Sequence, residues 1–236
     1  MENQSYWGAS TALICYVTLV AGILGASIIV ALIVVGLGVD LQNLSFPSSL
    51  ISIPLTEGTI LGITLFFAKE KGATLQKLGL KKPSLKIILI VSAVAVVLIF
   101  LAGIISLFEE MVFGPDPMAN ELLTALLPHN IFQLMLLIGF SLVLVGPAEE
   151  LAFRGFIQRG VSTSYGKIPG LIIASLMFGL LHGLNSIRAV IPVTMISLIL
   201  GYIWQKTDGN TTACAWTHGL YDAITMALVY FASFSI

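Results

Sequence analysis

The chain is short of charge. Of its 236 residues only 10% are Asp, Glu, Lys or Arg, whereas 57% are hydrophobic, and the mean hydropathy is +1.01. A soluble domain carries about 25% charged residues, so a soluble fold is excluded and an all-helical, polytopic membrane protein is indicated. The net charge of −1 comes without a basic patch interleaved with aromatics, which removes nucleic acid as a partner and leaves membrane lipid as the surrounding phase. Cysteine is nearly absent. Cys15 and Cys214 fall in separate apolar runs without metal-type spacing, and both read as small core residues. The start of the chain, Met1-Glu2-Asn3-Gln4, lacks a positive n-region, and the apolar run after it is too long for a signal h-region, so a retained span is expected. Internal repeats and low-complexity linkers are missing as well, so residues 1–236 read as one integral-membrane domain.

What is present is a series of apolar runs. Seven spans are expected, over 11–38, 51–68, 87–108, 131 to about 160, 168–184, 189–204 and 212 to the end. Polar turns separate them, the first over 40–49, and a bend is expected at Gly146-Pro147. The segment 69–86 carries six lysines, whereas 109–130 carries Glu109, Glu110, Asp116 and Glu121 without Lys or Arg. Lysine-rich short loops stay in the cytoplasm. The expected topology therefore has the N-terminus inside, the C-terminus outside and, in the acidic outer loop, a short interfacial helix over 120–127. A cell (plasma) membrane is the expected location.

Within this apolar chain one stretch is costly. Glu149-Glu150-Leu151-Ala152-Phe153-Arg154 follows an almost continuous apolar run from 131 to 145, and each carboxylate costs roughly 2.5–3.5 kcal/mol to insert into lipid. On a helix Glu150 and Arg154 share a face and neutralise each other. Glu149 points about 100° away and keeps a free carboxylate. Two of the three histidines also fall in spans. At 1.5 Å per residue, Glu149, His182 and His218 lie roughly 15, 20 and 12–18 Å below the lysine-rich surface, so three helices bring a carboxylate and two imidazoles to similar depth. The cavity holding them is expected to face the cytoplasm. Asp222 shares the face of His218, and both Phe178 and Asn185 neighbour His182 by spacing. His129 reads as a surface residue, Arg188 as a snorkelling anchor, and Glu57 as a structural carboxyl without a matched partner.

This set is matched to hydrolysis. A carboxylate and a histidine around one water make a nucleophile, and a second histidine stabilises an oxyanion. Neither Ser nor Cys is required. Zinc held by Glu149, His182 and His218 is the alternative, although no His-Glu-x-x-His sequence is present. Polar glue between helices is the plainer reading, and a proton-coupled transporter a further one, against which the lack of inverted repeats counts.

The ordered motifs Glu149-Glu150-xxx-Arg154, Phe178-xxx-His182 and His218-xxx-Asp222 resemble the CPBP family. This comprises CAAX prenyl endopeptidases of the Ras-converting type with bacteriocin-processing and immunity proteins, also called the Abi family. The contexts Phe153-Arg154-Gly155, Phe178-Gly179-xx-His182 and Leu78-Gly79-Leu80 extend the match, which covers roughly 140–225. The resemblance implies an intramembrane endopeptidase acting on a membrane-associated peptide of prenylated CAAX or leader type. It implies Glu149 and His182 as water-activating residues, His218 and Asp222 as the oxyanion site, and Glu150 with Arg154 as structural. It implies no cofactor, with zinc as the exception carried by members named metalloproteases. A peptide-binding immunity protein without activity is the family's other implication. Phe178 and Asn185 are expected to support the site.

Overall fold

The computed structural model describes residues 7–39 and 46–233, and in them eight helices and no strand. These are α1 (Ala9–Gly36), α2 (Phe46–Glu70), α3 (Leu85–Phe113), α4 (Pro117–Leu126), α5 (Ile131–Tyr165), α6 (Lys167–His182), α7 (Ile187–Lys206) and α8 (Thr211–Ser233). The all-helical membrane bundle is as expected. Five helices (α1, α2 from Ser48, α3, α5 and α7) are long and apolar enough to cross a membrane. The other two expected spans are helical too, but α6 has only 16 residues and α8 is interrupted by Thr, His and Asp. Of the polar turn expected at 40–49, residues 40–45 lie outside the described residues and 46–49 already belong to α2. The short outer helix runs over Pro117–Leu126, capped by the Asp116 carboxylate, which accepts from the Met118 and Ala119 amides.

The two ends of the bundle differ in charge. All eleven Lys and Arg lie at one end except Arg154, which is buried, and Arg188. There the segments are tied together: the Lys81 ammonium donates to the Asp208 carbonyl at 2.7 Å, Thr211 Oγ1 to the Leu78 carbonyl at 2.6 Å, and Gln205 Nε2 to the Lys167 carbonyl at 2.7 Å. Gly79 takes φ +89° at this junction, and a Cβ on it would sit 2.2 Å from the Gly209 carbonyl oxygen. A left-handed conformation costs an L-residue about 1–2 kcal/mol before any clash. Gly79→Ala is therefore expected to lower the thermal midpoint of the purified protein by at least that equivalent, and an unchanged midpoint would contradict this packing.

At the opposite end Ser49 Oγ donates to the Ala125 carbonyl at 2.8 Å, holding α4 on α2. Ser186 donates to Asp116 in a short hydrogen bond, and this bond holds the Asp116 carboxyl below its ordinary range. Arg188 does not snorkel. It donates to the Gly114 and Phe113 carbonyls at 2.6 and 3.1 Å and so closes the C-terminus of α3. His129 is exposed, and both cysteines are buried and free, as expected.

Candidate active site

Helix α5 carries the first motif and is not uniformly wound. Over Ser141–Val145 and Leu151–Gln158 it widens into i→i+5 turns, where the sequence leads one to expect a bend. Pro147 lacks an N–H and clashes with the preceding turn, and widened turns are a common accommodation near functional sites. α5 then crosses α8 at very close range. A Cβ on Gly146 would lie 2.6 Å from the Ala215 carbonyl oxygen, and one on Gly219 would lie 2.5 Å from that of Ser141. Small residues permit this approach, and it sets the glutamates against His218.

Glu150 is fully buried and bridges two partners. Its Oε2 lies 3.0 Å from Arg154 Nε, the pair expected from the spacing, and its Oε1 accepts from His218 Nδ1 at 2.9 Å. The second contact was not expected. It makes Glu150, rather than Asp222, the carboxylate that orients the His218 ring. His218 Nε2 is 3.5 Å from Asp222 and 3.7 Å from Glu149. Arg154 also donates from Nη2 to the Ser197 carbonyl and hydroxyl at 3.0 and 2.9 Å and lies over the Phe178 ring at 4.9 Å. Phe178 also touches the rings of His182, at 4.6 Å between centroids, and His218, at 5.9 Å. His182 donates from Nδ1 to the Phe178 carbonyl at 3.0 Å, so the orienting group is that carbonyl and not the Asn185 side chain. Its Nε2 is left as an acceptor.

Glu149 is 7% exposed, and its Oε2 has no hydrogen-bond partner. It lines a cavity of about 580 Å³ together with His182, Asn185 and Asp222. Glu57 lines the same cavity, also buried and with Oε2 unpartnered. Glu57 thus shares the cavity of Glu149, a placement the sequence reading did not give. Its signal was available in sequence: Ser48, Ser52 and Thr56, three hydroxyls at four-residue spacing, form a stripe leading to it, a face that lipid would not favour.

The remaining lining residues come from 23–30 of α1, 48–60 of α2, 122–126 of α4, 137–149 of α5, 181–185, and 221–226 of α8. These all lie toward the acidic, α4 end. On the lysine side the site is closed by Leu151 to Gln158, all of them buried. A cytoplasmic lysine loop and a cavity facing the cytoplasm thus do not go together in this fold, because the cavity extends away from the lysines.

Among the described residues no group of three or more His, Cys, Asp or Glu is arranged to hold a metal ion; the Nδ1 of His218 is bound to Glu150, and its Nε2 faces Asp222 and Glu149. No step below is routed through a metal.

No curated protein and no solved structure matches the chain. Residues 131–224, which supply every group of this site except Glu57, match the family model described as Type II CAAX prenyl endopeptidase Rce1-like, the family within the CPBP group that the sequence motifs resemble.

Proposed function

We propose that the chain is an intramembrane endopeptidase in which Glu149 and His182 activate a water for attack on a peptide carbonyl. The family match supports an intramembrane endopeptidase in general terms. The observation that carries the finer reading is the buried carboxylate oxygen of Glu149, without a hydrogen-bond partner, on a cavity that also receives His182. The water would donate to Glu149 and to His182 Nε2, whose ring is fixed by the Phe178 carbonyl. Glu149 takes a proton as the water adds to the carbonyl, and the tetrahedral oxyanion develops beside His218. As an imidazolium, His218 donates from Nδ1 to Glu150 and from Nε2 to that oxyanion. Asp222 lines the cavity 3.5 Å from the same Nε2 and borders the position of the oxyanion. Glu149 then returns its proton to the leaving amine, so that one water is consumed and two termini are produced.

His218→Ala is expected to lower the cleavage rate by roughly 100- to 1000-fold, the usual cost of one oxyanion donor, without changing metal content. Rates and elemental analysis of the same preparations check this. Activity that survives chelation in protein without stoichiometric zinc supports the proposal. One zinc per chain, lost together with activity in Glu149, His182 and His218 variants alike, refutes it. The substrate is a membrane-associated polypeptide, and the side from which it enters decides between a prenylated CAAX terminus and a leader-type segment.

A further inference from the structure

We infer that the substrate reaches the site from the end of the bundle opposite the lysines, beneath α4, and is therefore a polypeptide segment presented at the outer face of the membrane rather than a prenylated cytoplasmic terminus. The inference rests on the peptidase reading for the word substrate, but its geometry stands apart from it. Three observations carry it.

The first is the direction of the cavity. Its rim is formed by Ser48 and Ser52 on α2 and Leu122 on α4, and its floor by Glu57, Glu149 and His182. From Ser48 to Glu57 is nine residues of helix, about 14 Å at 1.5 Å per residue. An extended peptide at about 3.3 Å per residue would place some four residues along that depth. The α2 wall carries the hydroxyls of Ser52 and Thr56, and the α4 wall of Leu122, Ala125 and Leu126 is apolar.

The second is the seal on the other side. Between the glutamates and the lysine end, Phe153, Phe156 and Ile157 are completely buried. The chain around Gly79 closes against Thr211, whose amide donates to the Gly79 carbonyl at 2.9 Å. No lining residue of the cavity comes from this end.

The third is charge. Lys and Arg crowd one end, and the α4 end carries Glu109, Glu110, Asp116 and Glu121 with Arg188 as its one cation among the described residues. Arg188 is bound to the α3 carbonyls. A bias of this size in short loops places the lysine end in the cytoplasm, and the cavity then opens outward.

The test is side-specific thiol labelling of the full chain in intact cells with a membrane-impermeant maleimide. Cys15 and Cys214 are buried and give little background. Ser52→Cys and Leu122→Cys are expected to label before permeabilisation, as does Pro117→Cys on the exposed start of α4, and Thr74→Cys only afterwards. Labelling of Thr74→Cys in intact cells overturns the inference. So does labelling of Pro117→Cys without either cavity variant, because the reagent then reaches the outer face but not the cavity. Labelling needs no catalysis. If Glu149→Gln leaves all cleavage unchanged, the peptidase reading fails while the labelling still reports the side of access.

Discussion

Glu149→Gln is expected to remove cleavage, by at least about 10²- to 10⁴-fold, the range contributed by a positioned general base, while folded yield and thermal midpoint stay near those of the wild type. The two halves of this result have separate causes. Glutamine keeps the shape of the side chain but cannot accept the proton from water. Stability is spared because no buried cation depends on Glu149 alone. His218 is 3.7 Å from it, yet retains Glu150 at 2.9 Å and Asp222 at 3.5 Å. Liquid chromatography with mass detection of a peptide that the wild type cleaves gives the rate, and melting in detergent gives the stability. Equal loss of folded protein in Glu149→Gln and in Arg154→Ala would mean that both glutamates are structural.

Arg154→Ala is expected to act the other way, through folding. Arg154 is 1% exposed and Glu150 is fully buried. Removing one partner of such a pair leaves an uncompensated charge and costs roughly 3–5 kcal/mol. Here the loss reaches further. The Ser197 carbonyl and hydroxyl lose their donor, and the Phe178 ring that separates Arg154 from His182 and His218 loses its cover. Folded yield should fall sharply, and any residual folded fraction should melt lower. Arg154→Lys should recover only part of the loss, because one ammonium does not reproduce the planar fork that meets Glu150 and Ser197 together. Wild-type yield and melting in Arg154→Ala would show that the pair is dispensable.

What the sequence revealed about the site is what lies within one helix. Glu150 with Arg154, Phe178 with His182 and His218 with Asp222 are all four residues apart, and helical periodicity alone places each pair on one face. All three pairs are in contact in the structure. The long apolar runs likewise located the five helices long enough to cross a membrane among the described residues, because twenty-odd apolar residues have few alternatives in lipid. Contacts between helices were not legible. The bond from Glu150 to His218 spans 68 positions and depends on how closely α5 and α8 cross at Gly146 and Gly219. The widened turns of α5 also alter which way each glutamate points, a rotation that a uniform 3.6-residue period does not contain. The place of Glu57 beside the site was missed for a related reason: the groups that share its cavity come from α5, α6 and α8, none of them near in sequence. The orienting acceptor of His182 is a carbonyl of its own helix, and main-chain groups carry no residue-type signal. Depth could be estimated from residue counts, but the direction of the cavity could not, since it follows from where α4 and the α2 hydroxyl stripe pack.

The central claim, that Glu149 hydrolyses peptide bonds of membrane-associated polypeptides, is tested most directly by profiling new protein termini. Membranes from cells producing equal amounts of wild type and Glu149→Gln are compared by mass spectrometry of N- and C-terminal peptides. The account predicts a defined set of paired termini, from cuts in or beside membrane segments, that is present with the wild type and absent with the variant. Identical sets of termini at matched expression would contradict it.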